Sequence, residues 1–223
     1  MNTYASPFHI VISPFRSARA LPTSVRVRQA ALLVLGAGLF MAVGNFVSYL
    51  NHAYPPAPDV LKIYVNTWGE YLMLPFLKIP PESYRLFQAV IAIPFVYAIW
   101  MLMAGTAKLL SLLMGGRASY EQYLVITAFC FFPFWILAGI IDMIFSGMID
   151  GYVLQALTGQ LGPFATTFWS NFPNMFYTIL YGLGGVWIGI STVGVESFKW
   201  WKAAPIALFS FAWPMLLMSA LVR

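Results

Sequence analysis

Asp142 is the only acid set well inside a long apolar run, and the chemistry a carboxylate could do there is to hold a proton or a cation. The competing placement is the last turn of a helix near the outer interface, where water reaches it. Lys108 has the same two readings: an intramembrane charge with a function, or a long stem lying along lipid with its ammonium snorkelling to the surface. Beyond these two the inventory is thin. Cys130 is the only cysteine, sits in an apolar run and reads as a packed thiol. His9 and His52 are the only histidines. One Cys and two distant His do not make a zinc, haem or iron–sulfur site. There is no Gly-rich phosphate loop, and no Ser, His and Asp set can converge. These residues point to no enzyme, no metal and no cofactor, with bound lipid the exception an apolar surface invites.

The elements that must position these residues are membrane helices. Five stretches lack Asp, Glu, Lys and Arg: Gln29 to Pro58, Leu86 to Ala107, Gln122 to Ile141, Gly151 to Val195 and Ala203 to Val222. A helix needs about 20 apolar residues to cross roughly 30 Å of hydrocarbon. Only 9% of the chain is charged and 61% is apolar, against about 25% charged in soluble domains. The expected fold is therefore all-α and integral to the membrane: a bundle of five transmembrane helices at about 30–50, 84–104, 120–145, 174–194 and 203–222. Residues 1–28 form an arm without the apolar core and cleavage site of a signal peptide, and 29–223 form one domain. Helix 2 has room to continue to Met114, where Gly115-Gly116 ends it. Ser119 with Gln122 reads as a capping box at the start of helix 3. Gly194 and the turn with Glu196 and Lys199 end helix 4, with Glu196 paired to Lys199 or Lys202.

Basic residues in short flanks set the orientation. Arg16, Arg19, Arg26, Arg28, Lys108, Arg117, Lys199 and Lys202 are eight of the twelve basic residues, and in a five-helix chain all fall on one side. That places the N-terminus in the cytoplasm and the C-terminus outside. A sixth span would break the agreement. Two outer segments, 60–79 and 151–172, are apolar but interrupted by Lys62, Glu70, Pro75, Gln155 and Pro163. They read equally as short helices lying at the interface or as loops packed on the helix ends.

Packing signals are stronger than chemical ones. Gly185 and Gly189 form a G-x-x-x-G pair, with Gly182 one turn earlier, and Gly38 and Ala42 repeat the spacing in helix 1. Such faces let helix backbones approach closely, whether the neighbour belongs to the same chain or to another subunit. Pro94, Pro133, Pro205 and Pro214 lie within helices and read as kinks that serve packing.

The stretch from Gly105 to Pro133, GTAKLLSLLMGGRASYEQYLVITAFCFFP, resembles the Yip domain family, membrane proteins first known as Ypt/Rab-interacting. Gly115, Gly116, Ser119 and Pro133 stand where that family has a Gly-Gly turn, a Ser-capped helix and a proline halfway along it. Val11 to Leu21, with Pro14, looks like the segment leading into the family's first helix. Trp187 to Ala204 looks like the end of its fourth helix and the polar turn after it. The resemblance implies a five-helix bundle with no catalytic site. Eukaryotic members act in membrane trafficking and bind small GTPases and other membrane proteins. The arm here is short and lacks their Asp-Leu-Tyr-Gly-Pro type motif, so the chain looks more like a prokaryotic member in the inner membrane.

Three functions follow as expectations. The first is a non-enzymatic scaffold, an accessory or assembly subunit packed against other integral membrane proteins, with membrane lipids as surroundings, no nucleic-acid partner and self-association left open. The second is a small transporter or channel for protons or a hydrophobic solute, resting on Asp142 and Lys108. The third is lipid or pigment binding in a hydrophobic groove lined by the aromatic residues, which are 17% of the chain.

Overall fold

A computed structural model describes residues 26–50, 81–157, 160 and 162–221, and of Asp142 it describes the backbone. Pro14, His9, His52 and the segment 60–79 lie outside the described residues. Every described element is an α-helix: α1 Val27–Leu50, α2 Pro81–Leu113, α3 Tyr120–Leu157, α4 Pro163–Glu196 and α5 Trp200–Leu221. The chain is an all-α, multi-pass membrane protein. Among the described residues, four helices are long and apolar enough to cross a bilayer, over Val27–Leu50, Arg85–Leu113, Tyr120–Ile141 and Thr178–Glu196.

The structure departs from the sequence reading on the outer side of α3 and α4. The 151–172 segment is neither an interfacial helix nor a loop for most of its length. Residues 151–157 extend α3, and residues from Pro163 onward are already α4. At 1.5 Å per residue α3 is about 57 Å long and α4 about 51 Å, well beyond roughly 30 Å of hydrocarbon. Gln155, expected in a break, stands within α3. Pro163 occupies the first helical position, where its missing N–H costs nothing, after Gly162 in an extended conformation.

The helices pack as an antiparallel series with crossovers. α1 lies on α2 and α3, α4 lies on α3 and α5, and α2 also meets α3 and α5. On α2 the buried residues Ala92, Val96, Ile99, Met103 and Ala107 repeat at helical spacing, while Leu102, Leu109 and Leu113 point outward. In a bilayer that outer face needs no further cover, because lipid tails are as apolar as leucine. Polar groups join the helices at a few points. Tyr97 Oη donates to Ala31 O at 2.8 Å, and Trp100 Nε1 to Leu124 O at 2.8 Å. Gly38 lets α1 close on Ile93, whose Cα would lie 3.2 Å from a Cβ there. Pro133 lies inside α3 within an aromatic cluster in which Phe131 meets Phe132, Trp135, Tyr181 and Phe211.

Candidate functional site

Among the described residues, polar contacts between helices gather at the end of the bundle that carries the α2–α3 turn and the α4–α5 turn. Their arrangement begins with how α2 stops. Gly116 N donates to Ser111 O at 2.7 Å and Gly115 N to Leu112 O at 3.0 Å, the two bonds of a Schellman cap. That cap needs a left-handed residue, and Gly115 has φ +85°. α3 then starts with reciprocal bonds: Ser119 N donates to Gln122 Oε1 at 2.7 Å, and Gln122 N to Ser119 Oγ at 3.2 Å.

Between cap and box lie two more backbone donors, and the carboxylate that meets them comes from α4. Glu196 Oε2 accepts from Arg117 N at 2.6 Å, and both oxygens accept from Ala118 N at 3.1 Å. Ser111 Oγ donates to Glu196 Oε1, and so does Tyr123 Oη at 3.1 Å. Gly116 leaves the space for this carboxylate: a Cβ there would fall inside contact with Ser111 Oγ and 2.6 Å from Glu196 Oε1. Two lysines take the carbonyls of the same turn. Lys108 Nζ donates to Ala118 O at 2.6 Å and Lys202 Nζ to Met114 O at 2.9 Å. Lys202 also lies over the rings of Phe198 and Trp201.

The resulting cleft, about 450 Å³, is lined by Gly115, Arg117, Ala118, Gln122, Val195 and Glu196. Its carboxylate already accepts from four donor groups, which fills the lone-pair positions a base would need. The arrangement fixes a shape. It also ties together the segments that sequence likeness singles out, and the Yip1 domain profile matches residues 8–222. The chain belongs to the Yip1 domain family. No curated protein and no solved structure matches it.

Within this Yip1 domain the other expected residues fall in different places. Glu196 does not turn to Lys199 or Lys202; it faces the α2–α3 turn, because α4 continues past Gly194 and ends at Ser197, which is left-handed at φ 55°. Asp142 is not in the last turn of α3, since α3 runs on to Leu157. It stands about 33 Å along α3 from Tyr120, at 1.5 Å per residue. Lys108 sits against the α2–α3 turn instead, so about the thickness of a membrane separates these two charges and they form no joint site.

The small residues divide. A Cβ on Gly185 would lie 3.3 Å from the Phe211 ring, and one on Gly189 would lie 3.2 Å from Ala207 Cβ, so both face α5 of the same chain. A Cβ on Gly182 would meet no described atom within 4 Å, and Ala42 is half-buried. Gly184, which the four-residue spacing passed over, faces Phe131 and the Cys130 carbonyl of α3. Cys130 is fully buried, with Sγ 3.2 Å from Ser191 Oγ. Among the described residues no group of three His, Cys, Asp or Glu could hold a metal ion.

The sequence signal for Glu196 was present but weak. It is the first charge after the long uncharged run from Gly151 to Val195, and it lies opposite a Gly-Gly turn whose N–H groups need acceptors.

Proposed function

We propose that this Yip1-domain protein is a non-enzymatic membrane scaffold, an accessory or assembly subunit that packs against other integral membrane proteins. The observation that carries the reading is the Glu196 clamp. One carboxylate and two lysines spend their polar capacity on holding two inter-helix turns together. Beside that rigid end, Arg117, Trp200 and Trp201 are exposed. A surface that presents an arginine and two tryptophans on a fixed backbone has the composition of a protein contact.

In this reading all five helices span, with α5 the fifth, the clamped end faces the cytoplasm and the C-terminus lies outside. The grouping of Arg26, Arg28, Lys108, Arg117, Lys199 and Lys202 toward the clamped end supports that orientation. A prokaryotic-type member in the inner membrane is part of this reading. Of the small residues at four-residue spacing, Gly182 and Ala42 are the ones this reading leaves for contacts outside the chain. The transporter reading gains nothing from the geometry. Thr127, Thr192 and Ser210, buried in the bundle, bond to carbonyls of their own helices and line up no polar route among the described residues.

Native mass spectrometry of the protein, purified in mild detergent from the membranes that normally hold it, tests this. A stoichiometric complex with other membrane polypeptides is expected, and it should dissociate in Arg117→Glu combined with Trp201→Ala. A monomer without polypeptide partners would overturn the scaffold reading.

A further inference from the structure

At the opposite end of the bundle, Arg85 near the start of α2 meets neutral acceptors among the described residues. Its Nη1 donates to Asn45 Oδ1 on α1 at 3.2 Å and to Gln88 Oε1 at 3.1 Å. Both acceptors are neutral amides. Asn45 satisfies its own N–H₂ on Met41 O at 3.0 Å. Gln88 does not: its residue is 2% exposed, and its Nε2 is the buried side-chain nitrogen without a hydrogen-bond partner among the described residues. Turning that amide over gives no relief, because Nε2 would then face the donors of Arg85. Among the described residues the cluster thus holds a guanidinium and an amide N–H₂ side by side with no anionic oxygen acceptor.

We propose that Arg85, Gln88 and Asn45 form a binding site for a phosphate group, and that the phosphate is the headgroup of a phospholipid in the leaflet on that side. Depth supports the lipid source. Asn45 lies about 27 Å along α1 from Val27, close to the roughly 30 Å that separates the two headgroup layers. Charge and shape support the phosphate. Both bonds to neighbours use Nη1, which leaves the other edge of the guanidinium fork for the bidentate pairing that phosphate oxygens accept. Gln88 Nε2 then donates to the same group. Arg85 is half-buried; in this proposal its long side chain shifts to admit the phosphate to Gln88. The site is separate from the Glu196 clamp and holds whichever face of the membrane is cytoplasmic.

The test uses the full chain in mild detergent, titrated with phosphatidylglycerol, with a galactosyl diacylglycerol of the same acyl chains that lacks phosphate, or with inorganic phosphate. Native mass spectrometry reads the retained adducts. Phosphatidylglycerol should stay bound where the galactolipid is lost, and Arg85→Gln and Gln88→Leu should each weaken retention about tenfold. Arg28→Gln, at the other end of α1, should not. Gln88→Leu removes a buried unpartnered donor while Arg85 keeps Asn45 as an acceptor, so it is expected to fold even if Arg85→Gln does not. Displacement of the lipid by inorganic phosphate would keep the site and assign it to the free anion. Equal retention of the two lipids, or unchanged retention in Gln88→Leu, would overturn the proposal.

Discussion

The carboxylate of Glu196, the last residue of α4, accepts a hydrogen bond of 2.6 Å from the backbone N–H of Arg117, 79 positions earlier in the chain. This contact ties the two inter-helix turns at one end of the bundle. Replacing Glu196 with Ala leaves the N–H groups of Arg117 and Ala118 and the hydroxyls of Ser111 and Tyr123 without their acceptor. Hydrogen bonds to a charged group contribute about 1.5–3 kcal/mol each, and water at this end offsets part of the loss. The expected net cost is about 2–3 kcal/mol. Glu196→Gln keeps the shape but turns an N–H₂ toward donors, and should cost nearly as much. Thermal unfolding in detergent, followed by circular dichroism, measures both.

The two glycines of the same turn are needed for different reasons, and substitution separates them. At Gly115 a Cβ meets nothing, so Gly115→Ala costs only the left-handed backbone, about 1–2 kcal/mol. At Gly116 the backbone is ordinary, but a Cβ collides with Ser111 Oγ and Glu196 Oε1. Gly116→Ala should therefore be the more damaging change. Adding Ser111→Ala should recover part of the loss at Gly116 and none at Gly115. The same recovery in both backgrounds would mean that Ser111 does not crowd the turn.

The glycines of α4 separate chain packing from partner packing. Leucine gains about 1 kcal/mol over glycine in helix propensity, while overpacking a filled interface costs about 1–3 kcal/mol. At Gly189, against Ala207, overpacking wins and the α4–α5 contact should loosen. At Gly182, with open space around it, propensity wins and the isolated protein should be slightly more stable. If Gly182 faces another subunit, Gly182→Leu should lose that partner in co-purification while unfolding no earlier than the parent. Loss of the partner only in Gly189→Leu would place the contact elsewhere.

The parts of this molecule that were legible in its sequence were those written in local pattern. Ser119 and Gln122 announce a helix start through side chains that bond within four residues, and Gly115-Gly116 announces a helix end; the structure has both, with Gly115 as the left-handed residue of the cap. α3 was expected to end near residue 145, but it continues through Gly147 and Gly151, poor helix formers in isolation, to Leu157, where packing on α4 outweighs propensity. Glu196 was assigned to Lys199 and Lys202 because those lysines are its neighbours in sequence. Its actual partners come from α2, the turn and α3, and only the fold brings them within 3.1 Å. Arg85 and Gln88 escaped notice for a similar reason: three residues apart on α2, they read as a polar helix end until Asn45 of α1 arrives opposite them.

The orientation of the bundle is open to direct chemical reading, because the natural thiol is silent. Cys130 is 0% exposed, so the parent protein should not react with a membrane-impermeant maleimide. Arg117 is exposed at the clamped end, and its side chain takes no part in the bond that its backbone makes to Glu196. Gly162 is exposed between α3 and α4 in an extended conformation that any residue adopts. Arg117→Cys and Gly162→Cys should therefore both fold. With the basic end in the cytoplasm, Gly162→Cys should label on intact cells and Arg117→Cys only after permeabilisation. The reverse pattern would invert the protein, and with it the side from which Arg117 and the two tryptophans meet a partner. Labelling of both from one side would mean that α3 does not cross, which its apolar stretch from Tyr120 to Ile141 argues against.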